Sequence, residues 1–477
     1  MRRKLFKNKK YTGHELHRLH ELKKKFVQSV QFVSENTHQS VINKLMKLYH
    51  FFRPLATLAY KIYFKKSYYV GAENIPHGKP IIFSVNHPTA FLEPTVLACI
   101  FWECDFYFIT RGDIFKKPAY RRLLEGLLMI PIYRFKDGFA DMRQNGAIMD
   151  QIRDMLAEKK SIMIFSEGTT ITAKRLHPLQ KGMGRMAFSN YEKYGDLDLQ
   201  VVPIGVTYDE PHEPRGEVMI KVGKPVPLSN YYEIHAQNKA KAINALTQDV
   251  EKAMRELIVD VKKESDDVLA DELLLLYRNS FPQPTFPIFV KSERRLLAQK
   301  EMVDNLNQLP DNQHVILSEK VDIYFAKLKS QGLKDLAVAQ PYHSRFKNLL
   351  ALIIGFVPFL IGWYGHYLPN WYSRKVRKER DLDIEFQGPI MLGVAIGMHV
   401  VQYLVLLVVG LIVWSWSFWL FVLVLPFLGY YSLLYHEAWQ NYKACSQLSK
   451  VAQPLGGDTY IESLREEREG ILKIVRP

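Results

Sequence analysis

The sequence predicts an α/β domain followed by a helical segment and then by helices apolar enough to cross a membrane, and three observations predict it. Between about Ser67 and Leu228, short apolar runs alternate with helical patterns, the alternation expected of an α/β domain. From about Tyr231 to Gln340 the pattern is polar and helical and holds no chemical motif; the residues admit either a cap or a spacer. From Pro389 to Tyr435 the chain is apolar and carries no Asp, Glu, Lys or Arg. A helix needs about 20 residues to cross a bilayer, so this block suffices for a hairpin that turns near Trp414–Phe418.

Six runs are strand candidates: 81–85 (IIFSV), 106–109 (FYFI), 129–133 (MIPIY), 161–165 (SIMIF), 201–206 (VVPIGV) and 218–222 (VMIKV). Between the third and fourth, Ile148, Ile152, Met155 and Leu156 recur at helical spacing and predict a crossover helix. At 477 residues the chain exceeds one ordinary domain. The expected divisions are a basic arm and interfacial helix (1–66), the α/β domain (67–230), a helical extension (231–345), a membrane region (346–436) and a cytoplasmic tail (437–477).

A net charge of +15 suits any polyanion, nucleic acid and anionic lipid alike, so its location has to decide. Much of it lies in residues 1–26, where Arg2, Arg3, Lys4, Lys7, Lys9, Lys10, Arg18, Lys23, Lys24 and Lys25 face only Glu15 and Glu21. Attraction to anionic lipid is worth roughly 1 kcal/mol per basic residue near the surface. Residues 41–64 then mix Leu45, Leu48, Phe51 and Phe52 with Lys44, Lys47, Arg53 and Lys61, a pattern that suits an interfacial helix better than a spanning one. The partner expected is a lipid membrane, with no nucleic acid.

Basic residues also set the expected topology. Arg345 and Lys347, the cluster Arg374, Lys375, Arg377, Lys378 and Arg380, and Lys443 with Lys450 all favour the cytoplasmic side. The hairpin satisfies this rule. The apolar segment 349–368 would then have both ends on one side, which fits a re-entrant helix broken at Gly355 and Pro358; a simple crossing is the alternative. The opening MRRKLFKNKK has no apolar run with a cleavage site, so no secretory signal peptide is expected, and the catalytic domain of a multi-pass protein is expected to face the cytoplasm. Cys99, Cys104 and Cys445 form no C-x-x-C pair, so neither a disulfide framework nor a metal knuckle is indicated.

The chemistry-bearing residues sit at strand ends. His87 and Glu93 lie in NHPTAFLEP (86–94), directly after the first strand candidate, where α/β domains place functional groups. Neutral imidazole, with a pKa of about 6.5, can take a proton from an attacking hydroxyl, and a carboxylate on its other nitrogen fixes the tautomer. Arg134 closes MIPIYR (129–134) and can pair two-pronged with a phosphate, with Arg111 a second candidate. Glu167, Gly168 and Thr169 follow the fourth strand candidate, where glycine lets backbone approach a ligand. GMGRMA (182–187) matches a nucleotide-binding pattern but follows a polar stretch, and His14, His17 and His20 have no carboxylate or thiol cluster beside them, so both are set aside. Trp414, Trp416 and Trp419 read as a membrane-interface group.

Four blocks together resemble the glycerophospholipid acyltransferase superfamily, which includes lysophosphatidate and glycerol-3-phosphate acyltransferases: NHPTAFLEP, MIPIYR, FSEGTTI (165–171) and VVPIGV (201–206), in the family's order and spacing. The resemblance implies an acyltransferase domain with a central mixed sheet flanked by helices, His87 as base, Glu93 as its orienting acid, and substrate contacts from Asn86, Arg111, Arg134, Glu167, Gly168, Thr169 and Lys181. It implies no metal or cofactor, only acyl-CoA or acyl carrier protein as donor and lysophosphatidate or glycerol 3-phosphate as acceptor in phospholipid synthesis. Two departures matter. The family's acid would fall at position 92, which is Leu92, and the nearest acid is Glu93; in the third block Ser166 replaces Pro and Thr170 replaces Arg. Lys174, Arg175 and Lys181 are the candidates to supply that missing charge. Competing readings are phospholipid remodelling, acylation of another lipid alcohol, and a non-catalytic membrane scaffold that kept the fold. None of the four blocks lies within Pro389–Tyr435, so this hairpin is expected to anchor the domain without shaping it.

Overall fold

The computed structural model describes residues 48–134, 138, 142–340, 345–379 and 382–476. The basic arm, the three early histidines and the first residues of the interfacial segment lie outside these. The chain divides into two compact units, Met1–Pro54 with Tyr107–Ile148 and Leu55–Phe106 with Met149–Pro477. The described strands are β1 (Lys66–Val70), β2 (Ile81–Val85), β3 (Phe106–Arg111), β4 (Met129–Ile132), β5 (Ser161–Phe165), β6 (Gln200–Tyr208), β7 (Glu217–Val222), β8 (Val226–Pro227) and β9 (Ile288–Val290).

In the larger unit a mixed sheet runs in the order β5-β2-β6-β7-β1-β9, with β8 paired to β6. Pairing is parallel for β2 with β5 and with β6, antiparallel for β6 with β7, and parallel again for β7 with β1 and β1 with β9. The expected α/β architecture with a mixed sheet and flanking helices is thus present. Every residue of β2 and β6 is buried, which is why both read as continuous apolar runs rather than alternating ones. Helices cover the sheet: Leu246, Val250 and Met254 of Lys239–Arg255 and Met183, Met186 and Phe188 of Gly182–Tyr194 are all within 3% exposure. The crossover helix forms as Asn145–Ala157 and buries Ile152, Met155 and Leu156.

Three strands were not expected from the sequence: β1, the two-residue β8 and β9. β1 opens with Lys66, whose ammonium is buried and bonds Glu217 at 2.6 Å, while Arg295 reaches the same carboxylate at 3.2 Å. Burial lowers the Lys66 pKa; it would raise that of Glu217, but Arg295 and Lys66 outweigh it and hold the carboxyl below its ordinary value. A strand whose charges are neutralised across the sheet carries no apolar signal. β9 comes from the segment expected to be helical, directly after the break that Pro282, Pro284 and Pro287 make in it.

The smaller unit pairs β3 with β4 in parallel, Phe108 opposite Met129. The carboxamide of Asn145 brackets Tyr133, accepting from its N–H at 3.0 Å and donating to its carbonyl at 2.7 Å, and this fixes the chain beside Arg134.

Beyond the sheet, helices Asp267–Asn279, Arg294–Gln308 and Asp311–Ser330 share one apolar core with the C-terminal helix Asp458–Val475, through Leu273, Leu317, Val321, Leu464, Leu472 and Val475 among others. Inside it lies a charged centre. Asp335 accepts from Arg468 Nε at 3.0 Å, Tyr324 Oη at 2.7 Å and Asn279 Nδ2 at 2.9 Å. Two helices, Ile384–Val413 and the one starting at Trp416, are long and apolar enough to cross a membrane, and they meet at Trp414–Ser415 as expected for the hairpin. The preceding apolar segment is two helices, Asn348–Ile354 and Phe356–Gly365, bent by 56° at Gly355, one of the two expected break points; Pro358, the other, lies inside the second helix, at its start.

The charged centre yields a stability test. Asp335→Ala takes from Arg468 its buried carboxylate and leaves it the partly exposed Glu469, and loss of one partner from a buried pair costs up to about 3–5 kcal/mol. Thermal unfolding of the detergent-solubilised protein should show a clear loss of stability, whereas Lys79→Ala, which breaks an exposed pair with Asp198, should leave the midpoint near its original value.

Candidate active site

The carboxyl ends of β5 and β2 lie side by side, with Val85 opposite Phe165, and β6 runs on beyond them from Ile204 to Tyr208. The residues that follow β2 and β5 therefore meet at one edge, as α/β sheets place functional loops.

Asn86, expected to touch substrate, spends its amide on the fold: Nδ2 donates to the Val206 carbonyl at 2.9 Å and Oδ1 accepts from the Val206 N–H at 2.8 Å. It splices the end of β2 to β6 and so aims the next residue. His87 is 15% exposed, and its Nδ1 lies 3.1 Å from Glu93 Oε2. No described residue hydrogen-bonds Nε2. The ring stacks on Phe165, centroids 4.0 Å apart, which fixes its plane. Glu93 is wholly buried, and its other oxygen accepts from the Thr89 N–H at 3.1 Å and Thr89 Oγ1 at 2.8 Å. The same hydroxyl accepts from the Leu92 N–H and starts the helix Leu92–Ile100, whose first turn holds Glu93 where the helix dipole favours a carboxylate. The six-residue interval from His87 to Glu93 is bridged by this turn, so the shifted acid reaches the imidazole. Leu92, at the family's usual position for the acid, is 1% exposed and points into the core.

Glu167 is also a staple rather than a free carboxylate. Its oxygens accept from the backbone N–H of His87 at 2.7 Å and of His177 at 2.9 Å. Burial raises its pKa even though those two donors pull the other way. Gly168 has φ +71°, a left-handed turn that favours glycine, and Thr169 is exposed beside it. The loop is tied to its neighbour by the Ile171 N–H on the His87 carbonyl (3.3 Å) and Thr172 Oγ1 on the Pro88 carbonyl (3.0 Å). Ser166, where the family has Pro, hydrogen-bonds Ser84 at 2.6 Å inside the core. Of the cations proposed to replace the family's Arg, Lys174 pairs with Asp271, Arg175 pairs with Asp267 and Lys181 is exposed.

In the smaller unit, Arg111 makes a two-pronged pair with Asp113 at 3.1 and 2.6 Å, and Arg134 lies 3.9 Å from the same carboxylate. Both guanidiniums are partly exposed.

The sequence reading missed Thr89, Phe165 and Tyr208. Thr89 carried no helix-start signature, since the glutamate falls four residues after it rather than three. Tyr208 had no signal either, since only folding buries its phenol beside Glu93; burial, then the carboxylate's charge, pushes its pKa well up and keeps it protonated. A cavity of about 410 Å³ opens beside this edge, lined by Asn86, Pro88, Thr172, Lys174, Tyr208 and Arg278 among others.

Comparison with known proteins bears out the resemblance read from the four blocks. Residues 66–207 match the family model "Acyltransferase", a span that contains all four. An uncharacterized acyltransferase of Schizosaccharomyces pombe is 25% identical, over 43% of this chain and 30% of that protein. Glycerol-3-phosphate O-acyltransferase 1 of Saccharomyces cerevisiae is 23% identical, over 44% and 28%. A 1-acyl-sn-glycerol-3-phosphate acyltransferase of Chlamydomonas reinhardtii is 30% identical, over 32% and 42%. The matches thus span less than half the length of these relatives. Among solved structures, PlsC, the 1-acyl-sn-glycerophosphate acyltransferase of Thermotoga maritima, aligns with 16% identity and a TM-score of 0.32, over 50% of this chain and 88% of that one.

The geometry around Glu93 predicts a null rescue. Glu93→Gln should remove most acyl-transfer activity. The double change Leu92→Asp, Glu93→Leu should do no better than Glu93→Leu alone, because a carboxylate at position 92 enters the core unpaired. Activities of membranes with matched protein levels check this, and recovery in the double variant would show that position 92 can reach His87.

Proposed function

We propose that the acyltransferase-family domain at residues 66–207 moves a fatty acyl group from a thioester, acyl-CoA or acyl carrier protein, to a hydroxyl of a glycerol-phosphate acceptor, lysophosphatidate or glycerol 3-phosphate. What carries the reading is the His87 imidazole, tied through Nδ1 to a buried carboxylate and with Nε2 engaged by no described residue. The acceptor hydroxyl loses its proton to Nε2 as its oxygen attacks the thioester carbonyl. Glu93 stabilises the imidazolium that forms. The tetrahedral intermediate collapses, the C–S bond breaks, and the proton passes from His87 to the departing thiolate, so the base is regenerated and no covalent acyl-enzyme forms. Arg134 and Arg111 take the acceptor's phosphate, a role suited to planar guanidiniums, and Asp113 sets their geometry when substrate is absent.

The membrane reading belongs to the same proposal. The chain crosses the bilayer more than once, with the catalytic domain on the cytoplasmic face. Two features support it: the apolar hairpin, and the basic residues of Tyr367–Glu379 and Lys443 at the ends of its helices. The lipid acceptor then reaches the site from the bilayer while the soluble donor arrives from the cytoplasm.

His87→Ala should lower kcat by about 10² to 10⁴ without altering membrane insertion. Near wild-type turnover would overturn the assignment. Arg134→Lys should raise the acceptor's KM more than the donor's, as steady-state kinetics with each substrate varied in turn will read, since a point charge cannot reproduce a two-pronged phosphate pairing.

A further inference from the structure

We propose that the first turn of the first spanning helix, Glu385 to Pro389, is a positioning element of the active site; the inference rests on the acyl-transfer reading of His87 and Glu93. The membrane hairpin then does more than anchor the domain.

The central observation is a backbone exchange. In a helix the carbonyl of residue 385 accepts from the N–H of residue 389, but residue 389 is Pro389, which has none. The Glu385 carbonyl instead accepts from the Ala90 N–H at 3.1 Å. Ala90 follows Thr89, which bonds Glu93, and lies two residues before the helix that carries Glu93. The hydrogen bond the proline removes from the membrane helix is therefore remade with the loop that joins His87 to its acid.

Close packing holds the two parts together. Phe91 meets Phe386 edge-on, ring centroids 6.1 Å apart. Gly388 lies so near the chain after β6 that a Cβ there would sit 2.2 Å from the Pro211 carbonyl oxygen and 2.8 Å from Tyr63 Oη, atoms already bonded to each other at 2.8 Å. Gln387 accepts from Arg377 Nε at 3.3 Å, and Arg377 also pairs with Glu213. By contrast, the apolar window of the same helix is only 6% buried, and a Cβ at Gly393 or Gly397 meets nothing within 4 Å. Among the described residues, the close packing lies at the start of the helix.

The test compares Pro389→Ala, Gly388→Ala, Gly393→Ala and His87→Ala in the full-length protein in membranes. Kinetics are joined to amide exchange of peptides covering 88–92. Pro389→Ala offers the Glu385 carbonyl a helical N–H, so it should strengthen the helix yet release the loop. We expect kcat to fall roughly three- to tenfold, the rate equivalent of one hydrogen bond, with KM changing less and exchange at 88–92 becoming faster. Gly388→Ala should do the same more severely. If it prevents folding, Pro389→Ala alone decides. Gly393→Ala should match wild type. Wild-type kcat and exchange in Pro389→Ala would overturn the inference, as would a fall in kcat without faster exchange. Retained turnover in His87→Ala would instead overturn the acyl-transfer reading, while the exchange data would still report on the loop contact.

Discussion

A carboxylate with no exposure at all has to be paired, and Glu93 sets the local architecture through the way it is satisfied. One oxygen takes the His87 imidazole and the other takes both donors of Thr89. Thr89 can supply them only if the chain turns sharply after Pro88, and that turn starts the helix Leu92–Ile100. Tyr208, buried beside the carboxylate, stays protonated, so the acid meets no second negative charge. The histidine's orientation, the start of the helix and the buried end of β6 thus depend on one buried charge.

Around that charge, groups that look like substrate ligands in the sequence act as staples. Asn86 splices β2 to β6, and Glu167 joins the loops after β2 and β5 through the N–H groups of His87 and His177. Bonds between fixed backbone donors and a short side chain cost little entropy and tolerate little movement, which suits a site that must hold one nitrogen ready for a proton. The chemical load falls on few atoms.

The larger unit also ties its long apolar helices to the sheet with charge. Glu437, in the helix that starts at Trp416, takes Lys65 at the edge of β1 and Arg215 in the turn before β7. Arg377 reaches Glu213 from the basic helix Tyr367–Glu379, and these pairs are only partly exposed, so salt screens them less than it would a surface pair. The long apolar helices and the sheet of this unit are held by several short polar links, which is a different design from a domain on a flexible tether.

Motifs and periodicity by themselves determined the α/β class, the family resemblance, the His87–Glu93 candidates, the hairpin with its turn near Trp414 and the break at Gly355. These are legible because they are local: an apolar run long enough for a bilayer, a helix breaker, a polar residue at the end of a strand. Tertiary structure alone decided what depends on partners far along the chain. β1 was invisible because its Lys66 is neutralised by Glu217, 151 residues away, a carboxylate it shares with Arg295. Asn86 and Glu167 read as ligand contacts because nothing in the sequence says that Val206 and His177 will consume their polar atoms. The Ala90–Glu385 bond was hidden most deeply. Pro389 announces that a carbonyl will lack its helical donor, but only the folded chain decides which N–H replaces it.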